Sequence, residues 1–299
     1  MVDSRPGALS ARLSVLGAAF FFSTGGAAIK ACTLSAMAVA SLRSGIAALA
    51  IFVLLPAARR GWTGRTWFVG FAYAATMILF VTANKLTTAA NTIFLQSTAP
   101  LYVLLLSPRL LGERANKRDL LTMGLLAVGL SLFFVGGREP DRLAPNPLLG
   151  NVLAVLSGVA WGGTVLGLRW LSQPDARGRT PSNLTGVLAG NLVAFIGCLP
   201  FAGSIAQSGA ADWTALAYLG VVQIALSYVL LSRGLAVLPA LEGSLLLTVE
   251  PVLNPVWAFW MHGERPGSWA ILGGALILGA TLLRTLGEAF RGRPSTTNP

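Results

Sequence analysis

The chain of 299 residues is 54% hydrophobic and only 11% charged, with a mean hydropathy of +0.69, where a soluble domain carries about a quarter charged residues. That excludes a soluble globular protein, and with it the nucleic-acid partner that a net charge of +11 would otherwise suggest. Two cysteines, Cys32 and Cys198, and one histidine, His262, offer neither metal-ligand spacing nor a disulfide framework, although a Cys32–Cys198 bridge stays open at this level.

In chain order, ten apolar segments are predicted to span a membrane: 13–31, 36–55, 67–86, 90–110, 118–136, 148–171, 184–203, 212–232, 241–261 and 268–286. Most are about 18–22 residues long, which suits a hydrocarbon layer roughly 30 Å thick. The first follows Arg5 and Arg12 and resembles a signal peptide, but further apolar segments come after it, so it reads as an uncleaved span. The connections are short, and the longest, near 137–147 and 172–183, are rich in proline, glycine and charge. The tail from Arg291 to Pro299 is polar and is expected to be disordered.

Orientation follows from Lys and Arg placement. With a cytoplasmic N-terminus only Lys30, Arg43, Lys85, Arg138, Arg142 and Arg265 of the 22 basic residues fall outside or near the outer edge. Both termini are then cytoplasmic, and the positive charge is a topology signal. Trp62, Trp67, Trp170, Trp213, Trp260 and Trp269 fall at segment ends, as interfacial anchors do, whereas Trp161 and Trp257 do not.

The halves repeat. The stretch from Phe94 to Arg114 and the stretch ending at Arg265 both carry a proline twelve residues before a Gly-Glu-Arg ending, Pro100 before Gly112 and Pro251 before Gly263. Gly124 and Gly129 match Gly274 and Gly279 after a one-residue gap, and the first segment, ending at Lys30, aligns with the sixth, ending at Arg169. Five spans per copy is odd, so the second copy enters from the opposite side. An inverted repeat places a substrate site near the midplane where the halves meet.

These features resemble the drug/metabolite transporter superfamily in its EamA-type branch: the two five-helix repeats, Lys30 and its echo Arg169, Arg43 early in the second segment, Glu250-Pro251 and both Gly-Glu endings. The resemblance covers about residues 8–286. It implies an all-α integral membrane protein of ten helices in two inverted repeats, residues 8–137 and 148–287, with a tail at 288–299. It also implies a central cavity lined mainly by helices 1, 3, 4, 6, 8 and 9. Spacing and aromatic content are similar to those of bacterial aromatic amino-acid exporters.

Glu250 is the residue with the clearest claim to chemistry, because it lies near the middle of the ninth segment and an ionised carboxylate at a helix centre costs roughly 2.5–3.5 kcal/mol on insertion scales. It either binds a substrate ammonium or carries a proton, or else it is held protonated or hydrogen-bonded for structure alone; its repeat counterpart is Ala99. Pro100, Pro251 and Pro255 favour kinks that free backbone carbonyls. Ser244 and Thr248 form a small, polar stripe with Pro251 and Pro255, and Gln96 belongs to a weaker stripe in the fourth segment. Phe22, Tyr73, Phe80, Tyr102, Trp161, Gln223, Tyr228, Asn254 and Trp257 are candidates to line an amphipathic pocket. Its aromatics would attract an ammonium, and its amides and hydroxyls would hold a carboxylate. Packing or lipid contact is the alternative for each. Lys30, Arg43 and Lys85 are expected to snorkel to the interface, with attraction of a carboxylate as the alternative.

No G-x-x-x-x-G-K-[ST] loop, zinc motif or Ser/His/Asp set occurs, so neither an enzyme nor a cofactor is expected. The expected function is secondary active export of small amphipathic metabolites, amino acids with aromatic or bulky neutral side chains foremost, by alternating access across an inner (plasma) membrane. A passive channel is the alternative. The expected partners are a small-molecule substrate and the lipid bilayer, with protons as a candidate coupling ion and the chain as a monomer.

Overall fold

The computed structural model describes residues 7–110, 117–135, 139–171, 182–206, 208–235 and 246–289. Helices account for nearly all of them, and the described residues contain no β-strand. In chain order they are α1 (Ala8–Ser23), α2 (Gly25–Ala31), α3 (Ala36–Leu54), α4 (Gly64–Leu86), α5 (Ala89–Gln96), α6 (Ala99–Leu110) and α7 (Lys117–Val135). The second half contributes α8 (Pro147–Leu171), α9 (Asn183–Cys198), α10 (Ala210–Ala217), a π-helical stretch Tyr218–Leu226, α11 (Ser227–Leu235), α12 (Val249–His262) and α13 (Ser268–Ala289).

Local chemistry sets the helix starts. Ser35 accepts the Ala38 N–H at 3.1 Å ahead of α3, Thr88 accepts the Asn91 N–H at 3.0 Å ahead of α5, and Thr63 with Thr66 caps α4. Each satisfies a donor that the first turn leaves without a partner.

Six helical stretches are long and apolar enough to cross a membrane, and Leu120–Val135 and Ser268–Leu283 are shorter apolar helices. Only 39–50% of the apolar window of each of the six is buried in the protein, so about half of every such helix needs an apolar solvent. Large side chains such as Phe68, Leu54 and Trp260, the last 80% exposed, cover the outside, far more apolar surface than a soluble monomer tolerates. The molecule is therefore an all-α, multi-pass membrane protein.

Breaks in the helices follow the repeat. The α5–α6 rod turns at Ser97–Thr98, just before Pro100, and the helix entering α12 turns at Thr248, three residues before Pro251. Ser97 stands three residues before its own proline, so the two turns occupy the same repeat position. The first segment also breaks, at Thr24 between α1 and α2. Packing repeats too: α4 against α8 is matched by α1 against α11, and α4 against α9 by α3 against the π-helical stretch. In the same way α5 and α6 against α8 are matched by α12 against α1 and α2, while α3 with α9 and α7 with α13 are their own mates.

Two buried clusters hold the bundle. One gathers Ile29, Val39, Val81, Ile93, Leu95 and Leu126 with Phe80. The other gathers Ala47, Ile51, Tyr73, Leu188, Ile224 and Tyr228.

Candidate functional site

The second cluster contains the polar core of the molecule. Tyr73 on α4 and Tyr228 on α11 face each other with ring centroids 5.7 Å apart, and Phe22 of α1 meets the Tyr228 ring edge-on at 5.2 Å. Tyr73 can sit this deep because Gly190 of α9 lies against its ring; a Cβ there would collide with it. Asn191, the next residue, donates from Nδ2 to the Tyr73 hydroxyl at 3.3 Å. Gln223, in the π-helical stretch, donates to the Phe22 carbonyl at 3.5 Å. An i→i+5 helix widens the turn and often marks a functional site, and here it sits where Gln223 enters the core.

Arg43 of α3 lies in the same core and is 1% exposed. The expected snorkelling does not occur. Arg43 is the eighth residue of α3, about 11 Å along the helix from its start at 1.5 Å per residue, and its side chain turns inward. Nη2 donates to the Met77 sulfur at 3.0 Å, and Met77 is one helical turn after Tyr73 on α4.

A cleft of about 340 Å³ reaches this core from one end of the bundle. It is lined by Leu168, Ser182, Asn183, Leu184, Val187, Tyr228, Leu231 and Ser232. Tyr228 is therefore shared between the cleft and the buried cluster.

Other sequence candidates sit apart. Gln96 donates to Ser157 of α8 at 2.7 Å, and Tyr102 lies where α6 meets Gly162 of α8. Phe80 is in the first apolar cluster. Trp161 is half-buried on α8 and joins no aromatic pair among the described residues. Trp257 donates to the Ser23 hydroxyl at 2.9 Å and stacks edge-on against Phe20 at 5.6 Å. Asn254 is fully buried against Gly26. Thr248 and Glu250 are half-buried at the start of α12. Glu250 is close enough for its charge to act on the Tyr228 hydroxyl, and among the described residues its carboxylate has no hydrogen-bond or ion-pair partner. Ser244 lies outside the described residues.

The opposite end of the bundle is closed by a constellation of which the sequence reading named Lys30 and Lys85 but not their partners. Gly263 adopts a left-handed φ of 67°, which ends α12 and turns the next residue, Glu264, inward. Glu264 Oε1 accepts the Ala89 N–H at 2.6 Å and the Ala90 N–H at 3.4 Å, at the positive end of α5. Its Oε2 lies 3.3 Å from the Lys30 ammonium, with both side chains almost wholly buried at 0% and 6% exposure. Lys30 Nζ also donates to the Thr87 carbonyl at 2.8 Å and the Leu143 carbonyl at 2.6 Å. The snorkelling expected of Lys30 is thus replaced by a buried ion pair. Lys85 likewise turns inward and donates to the Cys32 carbonyl. At this end Asp212 accepts the Thr33 N–H at 2.7 Å and the Thr33 hydroxyl at 2.8 Å, and His262 Nε2 meets the Ala27 carbonyl at 2.8 Å.

Cys32 and Cys198 are both free and buried, so no bridge joins them. Burial pushes the Cys32 thiol up to about 11, only partly offset by the nearby Lys85 charge, which leaves it unreactive at neutral pH.

These features define a class: a membrane protein of paired helical halves, with a polar and aromatic core entered by a cleft at one end and tied shut by buried charge at the other. Matches to the EamA-like transporter family cover residues 9–135 and 148–286, and the chain belongs to that family. An uncharacterized protein of Pseudomonas aeruginosa is 33% identical over 281 residues, covering 88% of this chain and 91% of that one. An uncharacterized transporter of Archaeoglobus fulgidus is 26% identical over 208 residues, covering 70% of this chain and 71% of the other. A crystal structure with 20% identity superposes with a TM-score of 0.63 over 95% of this chain and 99% of that chain, which supports the fold. Membership makes the chain a membrane transporter and points away from an enzyme.

Proposed function

We propose that the chain is a ten-span secondary transporter of the inner (plasma) membrane that exports small amphipathic metabolites by alternating access. The count of ten takes the six long helices, the two shorter apolar ones and the two broken rods at α5–α6 and α12. Charge placement makes the cleft end cytoplasmic and the Lys30 end external. The observation that carries the reading is the asymmetry of closure. A cleft runs to Tyr228 from one side, while on the other the Lys30–Glu264 pair ties α2 to the chain beyond α12 and to the start of α5. Alternating access needs a state of this kind, open to one side only.

Aromatic or bulky neutral amino acids suit the core. Phe22, Tyr73 and Tyr228 present ring faces and edges to an apolar side chain, and Glu250, in charge range of Tyr228, is the ligand for an ammonium or the carrier of a coupled proton. The test is counterflow in proteoliposomes: labelled L-phenylalanine outside, with unlabelled L-phenylalanine, L-leucine or no amino acid inside. Saturable uptake that is accelerated by internal amino acid is expected. Uptake linear in concentration and indifferent to the internal solute would establish a pore and remove alternating access.

A further inference from the structure

We propose that Arg43 is an anion ligand of the central core, and that it takes the carboxylate of the transported molecule. This rests on the transporter reading above and names the substrate class: small organic acids, zwitterionic amino acids included, in preference to amines or neutral solutes.

Arg43 is 1% exposed, and its only hydrogen-bond acceptor among the described residues is the thioether of Met77, a weak, neutral acceptor. Its Nε and Nη1 are buried with no partner. A guanidinium keeps its charge in proteins, and an unpaired buried charge costs several kcal/mol. Buried arginines are normally matched by a carboxylate or phosphate that takes two parallel N–H bonds. Nε with Nη2, or Nη1 with Nη2, forms such a fork, so each fork has one nitrogen here without a partner.

No carboxylate whose side chain is described fills that role. Asp141 accepts the Leu143 and Ala144 N–H groups of its own turn. Asp212 is occupied by Thr33, and Glu264 by Lys30 and the start of α5. Glu139 is in an exposed loop. Glu250 makes no hydrogen bond to Arg43, whose Nε and Nη1 have no partner and whose Nη2 meets Met77. The titratable groups within electrostatic range of the guanidinium are the hydroxyls of Tyr73 and Tyr228 and the thiol of Cys32, all neutral at physiological pH.

The surroundings suit a ligand better than a permanent counter-ion. Tyr228 forms part of the cleft wall, and the Arg43 guanidinium lies within electrostatic range of its hydroxyl. The Asn191 and Gln223 amide oxygens are also buried without partners. These oxygens are acceptors, so they offer partners to the ammonium of a zwitterion and none to its carboxylate. A rearrangement of Tyr228 would connect cleft and guanidinium, and the entering carboxylate would neutralise a charge that the empty protein carries at a cost. Binding energy is then largest for the solute that carries the missing charge.

The test uses purified full-length protein and four probes: L-phenylalanine, hydrocinnamate, L-phenylalaninamide and phenethylamine. The first two carry a carboxylate and the last two do not. Ligand-induced shifts in melting temperature give affinities, and counterflow in proteoliposomes gives transport. Wild type is expected to bind the two carboxylates and to lose at least about thirtyfold in affinity for the amide and the amine, the least that truncating one side of a buried charge pair costs. Arg43→Gln should remove the preference, and Arg43→Lys should retain part of it. Met77→Glu provides an independent arm, because it places an internal carboxylate beside Nη2. It should raise the melting temperature and abolish carboxylate binding even if Arg43→Gln fails to fold. Equal affinity for all four probes in wild type, or carboxylate binding that survives Met77→Glu, overturns the assignment. Wild-type counterflow of phenylalanine and its amide at equal rates keeps the transporter reading and rejects Arg43 as ligand. Carboxylate-selective binding without counterflow does the reverse.

Discussion

Glu264→Gln is the perturbation that most directly probes the closed end. The substitution keeps the shape and leaves an oxygen for the Ala89 N–H, but it removes the charge that faces Lys30 at 3.3 Å. Both side chains are buried, so the solvent screening that makes surface pairs nearly worthless does not apply. Removing one partner of a buried pair costs about 3–5 kcal/mol, because the other charge is stranded. If that cost falls on the closed state alone, even about 3 kcal/mol shifts the closed-to-open ratio by about 150-fold. The readout is already in the protein. Cys32 is buried at this end, its carbonyl is held by Lys85, and its thiol is held in the protonated form. In a Cys198→Ser background, a membrane-impermeant maleimide added from outside should leave Cys32 unlabelled in the parent and label it rapidly in the Glu264→Gln variant. If Cys32 stays unlabelled while the melting temperature falls, the pair holds the fold and does not gate it.

Two further outcomes are expected. Glu250→Gln should transport phenylalanine in counterflow while losing the response of net efflux to an imposed pH gradient; an unchanged pH response would remove the proton role. Gly190→Val should lower the melting temperature and the yield of monodisperse protein, with a cost of about 1–3 kcal/mol for overpacking against the Tyr73 ring; an unshifted melting curve would show that Tyr73 has room to move.

Long-period features of the fold were legible because membrane spans must be apolar and about twenty residues long. The paired prolines and Gly-Glu-Arg endings located the joints, and the turns at Ser97–Thr98 and Thr248 sit just ahead of those prolines. The site was legible only in part. Phe22, Tyr73, Gln223 and Tyr228 were chosen as amphipathic residues in apolar runs, and the fold brings these four together. Gln96, Phe80, Tyr102 and Trp257 have the same composition but face other neighbours. Periodicity alone cannot tell which side of a helix meets which partner. The pairing of Lys30 with Glu264 was not legible because they stand 234 positions apart, and a basic residue at a helix end ordinarily reaches for water. One available signal was that the Gly-Glu-Arg ending occurs twice, which gives its glutamate a structural claim. For Arg43 the signal was depth, since a guanidinium about 11 Å along a span is far from the interface.

The geometry of α12 turns these local facts into a mechanical one. The helix has 14 residues and is about 21 Å long at 1.5 Å per residue. It is jointed at Thr248 and held at its far tip by Glu264. Its short-range bond therefore sits at the end of its longest arm. A swing of about 10° at the joint moves the tip by about 3.6 Å, more than the entire 3.3 Å separation of the Lys30–Glu264 pair. Glu250 lies beside the pivot and hardly moves, while Asn254 and Trp257 travel intermediate distances and carry their contacts with the first helix along. On the proposed role of Glu250, a small rotation started at the pivot would break an ion pair at the far end of the helix, without any residue having to cross the bundle.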